Sequence, residues 1–496
     1  MTAERDRLIE VWADWEPLKQ ATKVGILHAR FVRGREIFSF SYDTEWLGIA
    51  EPQAIDPQLV ATQGEQYAND PHELFGVFLD SAPDRWGRLL MGKRERLEAR
   101  RENRQAQTLF ESDYLLGVHD QQRIGGLRFR EPYGPFLDNR DAFTAPPLAR
   151  IRELEIASQR VQRDDADDDP EHVRWLQVLL APGSSLGGSR PKASVIDPSG
   201  NLWIAKFPSR LDTYDHGAWE FVAHELASHA GIAVPEARCE RFTSEHSTFL
   251  VQRFDRTAEG RRLHFASALA LLRHRDREEA SYLELSHFLL RSGSSANHDL
   301  EQLWRRIAFS VCVSNVDDHL RNHGFILADG GWRLSPAYDI NTSPAPRGLT
   351  VLISESDNSQ DLDLVRSVAP QFRIADARAQ QIIVEVVQAV NDWRSVAASA
   401  GLSRSAQQTM ERAFVVAEMH RQKFVVTSSP AKPSTTPMPT ADRTKRPKRK
   451  QRRSRKDELL FGDVQFNCVK CGLPIGFKSA LEREGKGRVC AKCVHE

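Results

Sequence analysis

The chain has 496 residues, of which 40% are apolar and 27% charged, a composition typical of globular proteins. This length exceeds what one hydrophobic core usually supports, so two to four domains are expected. No window approaches the roughly 18 consecutive apolar residues of a membrane span. The N-terminus, MTAERDRLIEVWADWE, is unlike a secretory signal, which predicts a cytoplasmic location and no membrane partner.

Charge is distributed unevenly, although basic and acidic residues balance at 68 each. Ten of the fourteen residues from Arg443 to Lys456 are basic, so the rest of the chain carries a net charge of about −10. Six cysteines in so long a chain do not indicate a disulfide scaffold. Four of these cysteines fall within the last thirty residues, where their spacing is informative.

Residues 1–150 are predicted to form an N-terminal subdomain. The alternating stretches Val24–Phe31 and Ile37–Tyr42 are typical of strands, and a helix is expected around residues 72–100. The stretch DSAPDRWGR, at residues 80–88, leads into this helix through a Pro-containing turn.

Residues 151–426 are predicted to hold a strand-rich lobe followed by a mostly helical lobe, which places the chain in the α+β class. A Gly/Ser-rich loop, APGSSLGGSRPK, precedes the strand-like runs ASVID and LWIAKF, which a Pro-Ser-Gly turn joins. The run WEFVAHELASHAG is typical of a helix that ends at Gly231, and FLVQRFDR is typical of another strand. Helical patterns dominate from 263 to 425, apart from the stretch 314–353.

The chain after Val426 has two predicted parts. Residues 427–460 are rich in Ser, Pro and Thr and then basic, and they lack the apolar side chains that would offset their ordering entropy, which predicts a disordered linker. Residues 461–496 carry two C-x₂-C pairs separated by eighteen residues. Four thiolates at this spacing predict a closed, structural Zn²⁺ site. Its ligands would be Cys468, Cys471, Cys490 and Cys493.

A polar cluster, SNVDDHLRNHGF, follows an apolar run that is typical of a helix. Asp317 and Asn322 are five positions apart, which is the spacing of the protein-kinase catalytic loop. In such a loop the carboxylate orients the attacking hydroxyl and accepts its proton, while the amide oxygen binds Mg²⁺. Asp339, behind the strand-like run GFILADGGWRL, is a candidate second metal ligand. The alternative is a metal-hydrolase cluster of Asp317, Asp318 and His319, although no further His or Asp groups stand out nearby.

Phosphate-binding groups are expected upstream of this cluster. Lys206, in LWIAKF, could hold nucleotide phosphates and pair with Glu220 on the next helix. The Gly-rich loop, with Gly187 and Gly188, could present backbone N–H groups to the same phosphates. Each feature alone is common. Their order along the chain (Gly-rich loop, strand Lys, helix Glu, hinge-like strand, Asp…Asn, Asp) indicates a kinase.

These motifs resemble, in the same order, those of the HipA-type serine/threonine kinases of bacterial toxin–antitoxin systems. The resemblance covers about residues 20–420 and rests on VGILHARF, FSYDTEWL, DSAPDRWGR, SSLGGSRPKA, LWIAKFPS, AGIAVPEA, VQRFDR, NVDDHLRNHGFIL and LSPAYDI. It implies a two-lobed protein-kinase-like fold and the use of ATP and Mg²⁺. It also implies a small DNA-binding antitoxin as partner and a protein substrate in translation, such as an aminoacyl-tRNA synthetase.

The resemblance assigns a role to each matching residue of the catalytic centre. It implies that Asp317 is the catalytic Asp, that Asn322 and Asp339 bind Mg²⁺, and that Lys206 holds the phosphates. Asp318 replaces a family Gly, which places an extra carboxylate beside the catalytic one.

The resemblance also assigns roles around the nucleotide. Gln252 and Phe254 fall at the adenine-contacting hinge, where the family often has Glu in place of Gln252. Ser185 matches a serine that the family autophosphorylates, with Ser184 as the neighbouring alternative, and a phosphate there would repel the nucleotide phosphates and inactivate the kinase. His319 is expected to order the loop by hydrogen bonding, with direct proton transfer as the alternative.

The cysteine-rich stretch resembles the zinc finger of the DksA/TraR regulators, which bind RNA polymerase, over about thirty residues. This likeness suggests a binding module; four free cysteines in a tail are the alternative. The basic linker before it could bind nucleic acid through phosphate neutralisation or could act as a solubilising tether.

The sequence as a whole therefore predicts an ATP- and Mg²⁺-dependent serine/threonine protein kinase. Two other functions stay open. One is a small-molecule kinase that uses the same residues, and the other is a nucleic-acid-binding regulator in which the kinase lobes serve as a scaffold.

Overall fold

The computed structural model describes residues 6–49, 55–70, 72–136, 145–163, 179 and 190–427, together with four short strands between residues 466 and 490. The chain divides into two compact units, Met1–Ser429 and Pro430–Glu496. The division lies close to Val426, after which the composition of the sequence changes.

The first sheet belongs to the N-terminal subdomain. Its strands are β1 (Arg7–Ala13), β2 (Thr22–Val32), β3 (Arg35–Tyr42), β4 (Glu65–Tyr67) and β5 (Leu127–Arg130). They pair antiparallel in the order β4-β3-β2-β1-β5. The helices here are α1 (Thr44–Leu47), α2 (Gly76–Ser81), α3 (Arg85–Arg101) and α4 (Glu111–Leu116). Alternate residues of β3, such as Phe38 and Phe40, are buried, as the period of a strand requires.

The second sheet follows helix α5 (Ile151–Val161). Its strands are β6 (Lys192–Ile196), β7 (Leu202–Lys206), β8 (Ala237–Glu240) and β9 (Thr248–Gln252), and helix α6 (His216–His229) lies between β7 and β8. The strands pair antiparallel in the order β6-β7-β9-β8. Strands β6 and β7 form the predicted hairpin, which turns at Gly200 (φ +90°). Helix α6 is followed by Gly231 (φ +76°), which confirms the predicted C-terminal signal.

The helical lobe begins with a third, small sheet. Its strands are β10 (Phe265–Ser267), β11 (Gly324–Ala328) and β12 (Gly331–Leu334), in the order β10-β11-β12. The helices are α7 (Ala268–Leu271), α8 (Tyr282–Ser292), α9 (Ala296–Val313), α10 (Leu362–Ser367), α11 (Asp376–Asn391), α12 (Trp393–Ser399), α13 (Arg404–Met410) and α14 (Val415–Thr427). Helix α9 is the centre of this lobe, because every residue from Leu303 to Val313 is buried.

Two hydrophobic clusters connect the parts of the larger unit. One cluster extends from Ile9 in β1 to Ala417 in α14, so the first sheet and the helical lobe share a core. The other joins Trp86 of α3 and Leu154 of α5 to the second sheet, for example at Trp203. The N-terminal subdomain therefore packs against both lobes.

The described residues of the smaller unit form two antiparallel strand pairs. They are β13 (Phe466–Asn467) with β14 (Pro474–Ile475), and β15 (Ala480–Glu482) with β16 (Arg488–Cys490). The predicted linker, residues 427–460, lies outside the described residues apart from its first position. Within the described residues, no helix is long and apolar enough to cross a membrane.

Candidate functional site

Strand β7 and helix α6 bring the predicted lysine and glutamate together. Lys206 ends β7, and its Nζ donates to Glu220 Oε1 on α6 at 2.5 Å. The same Nζ donates to Asp339 Oδ1 at 2.5 Å. Three residues from three separate segments thus meet at one ammonium group. The pairing of Lys206 with Glu220 was predicted, whereas the bond from Lys206 to Asp339 was not.

Burial and charge oppose each other at this centre. Burial acts to lower the pKa of Lys206, but Asp339 and Glu220 outweigh it and raise the pKa above its usual value. Burial likewise acts to raise the pKa of Asp339, yet Lys206 lowers it to about 2. The pKa of Glu220 is raised, because burial and the nearby Asp339 exceed the effect of Lys206. Asp339 is therefore ionised at neutral pH, as a metal ligand must be.

Asp339 sits in a backbone conformation that few residues adopt. Its φ is +56°, in the left-handed region that costs about 1 kcal/mol or more for a residue with a Cβ. The segment is held by Asn341, whose backbone N–H donates to Asn315 Oδ1 at 3.1 Å. Asn341 Nδ2 also donates to the carbonyl of Asp339 at 3.2 Å. The loop of Asp339 and the loop after α9 are thus fixed to each other.

The two adjacent aspartates of the catalytic-loop motif occupy different environments. Asp317 is exposed, whereas the side chain of Asp318 is only 5% exposed. Asp318 accepts hydrogen bonds from Tyr282 Oη and from His323 Nε2, the latter at 3.0 Å. Burial acts to raise the pKa of Asp318, but His323 and Tyr282 together lower it. Asp318 therefore anchors the loop, and Asp317 is the carboxylate that faces solvent.

The other two residues of the motif lie in the short helical turn that follows. Asn322 Nδ2 donates to the carbonyl of Asp317 at 3.3 Å, so the amide lies beside the catalytic-loop backbone. The carbonyl of His319 accepts from the Asn322 N–H at 2.8 Å. The His319 ring itself makes no hydrogen bond within the described residues, and its Nδ1 is buried. Its backbone, rather than the expected ring contact, orders the turn.

A cleft between the lobes joins these groups to two aromatic side chains, and it is partly open to solvent. Its walls include Lys206, Glu220, Gln252, Phe254, Asn322, Tyr338 and Asp339. The rings of Phe254 and Tyr338 pack against each other, with centroids 5.5 Å apart, and together form an apolar part of the cleft wall beside the charged centre. Both predicted hinge residues therefore line the cleft, while Asp317 is not among its lining residues.

The donor set of the cleft fits Mg²⁺ with a nucleotide. Asn322 and Asp339 both line it, and they supply the oxygen ligands that Mg²⁺ takes in company with phosphates. A protein cage complete in itself is not found: no group of three or more His, Cys, Asp or Glu residues that could hold a metal occurs in the described part of the chain.

Several predicted residues lie outside the described ranges. These are Ser184, Ser185, Gly187 and Gly188 of the Gly-rich loop, and Cys468, Cys471 and Cys493 of the zinc module. Cys490 is described only as the last residue of β16.

One buried ion pair beside the cleft was missed by the sequence analysis. Lys192, the first residue of β6, lines the cleft, and its Nζ lies 2.8 Å from Asp84 Oδ2 at the start of α3. The two side chains are 4% and 3% exposed. Trp86 Nε1 also donates to the carbonyl of Lys192 at 3.1 Å. Both residues belong to motifs that the sequence reveals, because Asp84 lies in DSAPDRWGR and Lys192 ends SSLGGSRPK. The sequence alone does not indicate that these two motifs are in contact.

A second missed feature is the anchoring of the hinge after β9. Arg253 Nη2 donates to Asp255 Oδ2 at 2.7 Å, and Arg253 Nη1 donates to the carbonyl of Gln122 at 2.8 Å. Asp255 also accepts from Arg256 at 2.6 Å and from the Gly125 N–H at 2.9 Å. Burial opposes ionisation of Asp255, but Arg253 and Arg256 hold its pKa far below the usual value. The VQRFDR motif thus fixes the hinge to the N-terminal subdomain.

The fold is similar to that of a HipA toxin. A solved structure titled as the Shewanella oneidensis MR-1 toxin–antitoxin system HipA, HipB and its operator DNA complex matches with a TM-score of 0.59. The match covers 84% of this chain and 97% of that chain at 14% identity, so it shows a shared fold. Residues 184–394 also match the family model described as HipA-like C-terminal domain, and this range contains every cleft residue predicted from the kinase motifs.

Two curated proteins are similar to parts of the chain. A Haemophilus influenzae protein named "Putative kinase" is 24% identical over 188 residues, which are 33% of this chain and 54% of that protein. A Sinorhizobium fredii protein named "Putative kinase Y4dM" is 26% identical over 211 residues, 36% of this chain and 51% of the other. The chain thus spans about half the length of these curated relatives.

Proposed function

We propose that this protein is an ATP- and Mg²⁺-dependent serine/threonine protein kinase of HipA type. The observation that carries the proposal is the meeting of Lys206 Nζ with Glu220 and Asp339, each at 2.5 Å, in a cleft that Asn322 also lines. A strand lysine, a helix glutamate and two oxygen ligands in this order are the groups that protein kinases use for phosphoryl transfer from a nucleotide.

Each residue has a distinct task in this proposal. ATP supplies the transferred phosphoryl group, and Mg²⁺ neutralises charge on its phosphates. Lys206 positions the phosphates, Asn322 and Asp339 hold the metal, and Gln252 and Phe254 contact the adenine. Asp317 orients the substrate hydroxyl and takes its proton as the new P–O bond forms and ADP leaves.

The proposal extends to regulation and partners. Autophosphorylation would occur on Ser185, with Ser184 as the neighbouring candidate, and would inactivate the enzyme by charge repulsion. By likeness to the HipA structure, which contains HipB and operator DNA, a small DNA-binding antitoxin would bind this protein. The substrate would be a protein of translation such as an aminoacyl-tRNA synthetase.

The C-terminal unit has a separate proposed role. Cys468, Cys471, Cys490 and Cys493 would hold a structural Zn²⁺, and the basic linker with this module would recruit the kinase to nucleic acid or RNA polymerase.

Incubation with labelled ATP and Mg²⁺, followed by mapping of the label, tests the proposal. The wild type should label itself at Ser185 or Ser184 and should label proteins of a cell lysate, whereas Asp317→Ala should do neither. Asp329→Ala is the matched control, because Asp329 is an exposed aspartate in the turn between β11 and β12.

Three results would overturn the assignment. Label that persists in Asp317→Ala would exclude Asp317 as the base. Labelled small molecules without labelled proteins would favour the small-molecule kinase. A wild type that transfers no phosphoryl group, but whose C-terminal segment binds nucleic acid in a salt-dependent manner, would favour the regulator.

A further inference from the structure

Arg321, four positions after Asp317, already binds a carboxylate of its own chain. Arg321 Nε donates to Asp276 Oδ1 at 2.7 Å, and Arg321 Nη2 donates to Asp276 Oδ2 at 3.0 Å. The side chains are 31% and 60% exposed, so the pair lies where solvent and a substrate can reach it. Arg321 also lines the cleft beside Asn322. The two parallel hydrogen bonds are the geometry in which a guanidinium recognises any carboxylate.

The backbone of Arg321 is fixed, which makes its side chain a defined binding group. Tyr338 Oη donates to the Arg321 carbonyl at 2.7 Å. Burial acts to lower the pKa of Arg321, but the bond to Asp276 and the field of buried Asp80 raise it. The guanidinium therefore stays charged whether or not Asp276 occupies it.

The segment that presents Asp276 is conformationally unfavourable. It is a turn in which the Glu278 N–H donates to the Arg275 carbonyl at 3.1 Å. Arg277 has φ +69° and Arg273, just before the turn, has φ +62°. Positions with such angles normally favour glycine, so two arginines there are strained. Packing of the surrounding side chains does not require this strained turn. Its effect is to hold the Asp276 carboxylate against Arg321, a residue of the cleft wall.

The basic side chains around Asp276 make the position of its carboxylate a binding site for an anionic group. The hydrogen bond from Arg321 contributes most to the low pKa of Asp276, and the charges of His319 and the exposed Arg85 contribute further. An exposed ion pair of this kind favours the paired state by only about 1.4- to 5-fold. An anionic group that arrives with a substrate can therefore displace Asp276.

We propose that Arg321 selects protein substrates with an acidic residue close to the target hydroxyl, and that Asp276 occupies this subsite as an internal competitor. The ligand is an Asp or Glu side chain, bound in the place that the Asp276 carboxylate holds. The inference rests on the proposed kinase function and adds the class of substrate sequence to it.

Peptide binding tests this proposal without any need for phosphoryl transfer. The probe is a fluorescein-labelled peptide with one serine flanked by aspartates, and its partner peptide carries asparagines instead. Anisotropy with the full chain should show that Asp276→Asn lowers the Kd of the acidic peptide about two- to fivefold. The Kd of the neutral peptide should not change. Glu279→Gln removes the same charge from an exposed position of the same loop, and should leave both values unchanged.

A second variant identifies the group that binds. Arg321→Gln should remove the preference for the acidic peptide, so that both peptides bind alike. Equal binding of the two peptides by wild type and Asp276→Asn would overturn the inference, as would a gain in Glu279→Gln equal to that in Asp276→Asn. Failure of the kinase itself is a different result, because it appears in the labelled-ATP experiment and leaves these affinities measurable.

Discussion

Removing either partner of the Lys192–Asp84 pair should strongly destabilise the larger unit. Both side chains are less than 5% exposed, so each single substitution leaves a buried group without its counterion. Loss of one partner from a buried pair costs about 3–5 kcal/mol. For the aspartate we choose Asp84→Asn. Asp84 Oδ1 accepts a hydrogen bond from the Gly87 N–H at 2.7 Å at the start of α3, and the amide oxygen of asparagine can still accept it.

The lysine variant should behave differently with pH. Burial already raises the pKa of Asp84 although Lys192 opposes this. In Lys192→Met the carboxyl loses that partner, so its pKa in the folded state rises further above the unfolded value. Such a group stabilises the fold below the unfolded pKa and loses that contribution as pH rises. The destabilisation by Lys192→Met should therefore be greater at pH 8 than at pH 5.

Urea unfolding followed by tryptophan fluorescence measures both effects. In the double variant, Asp84→Asn with Lys192→Met, no charge is left unpaired. Its loss of unfolding free energy should therefore be smaller than the sum of the two single losses by at least about 2 kcal/mol. Arg366→Met is the control: it breaks an exposed pair with Asp376 and should cost about 1 kcal/mol or less. Single losses below about 1 kcal/mol, or losses that simply add, would refute the reasoning.

Three further predictions concern separate parts of the molecule. Burial raises the pKa of Asp80 to about 6, so its contribution to stability should fall by about 2 kcal/mol between pH 4 and 7. Asp80→Asn should flatten the pH dependence of the unfolding midpoint, and an unchanged slope would contradict this. Gly217→Ala should lower the free energy of unfolding by about 1–3 kcal/mol, because the new Cβ would lie 2.1 Å from the Ser247 carbonyl oxygen. Gly92→Ala is the control: its Cβ meets no close neighbour, so it should not destabilise the protein. Denaturant unfolding measures both. Elemental analysis should find zinc in the wild type and a loss of it in Cys468→Ser, and a zinc-free wild type would exclude the proposed ribbon.

Local patterns made part of this fold predictable. The β6–β7 hairpin was predicted because alternation and a Pro-Ser-Gly turn are encoded by neighbouring residues. The strand-like run GFILADGGWRL was recognised in the same way, and it forms the paired strands β11 and β12. The pairing of Lys206 with Glu220 was predicted from the order of the motifs, because phosphoryl transfer restricts which residues can work together, whereas the bond from Lys206 to Asp339 was not predicted.

Other contacts depend on packing between distant segments. Trp86 and Lys192 are 106 positions apart, and no periodicity reveals that they touch. The adjacent Asp317 and Asp318 look alike in the sequence, and only the position of Tyr282 and His323 in the folded chain distinguishes the buried Asp318 from the exposed Asp317.

The anchored hinge has a practical consequence for attempts to isolate a minimal catalytic fragment. A polypeptide beginning at residue 151 would retain Arg253 and Arg256 but would lack the carbonyls of Gln122 and Arg123 to which they donate. Its connecting segment would expose guanidinium groups that the intact chain keeps satisfied, so the fragment should bind nucleotide poorly even though it retains Lys206, Glu220, Asn322 and Asp339. The geometry of the cleft thus depends on backbone groups of the N-terminal subdomain that lie outside the cleft itself.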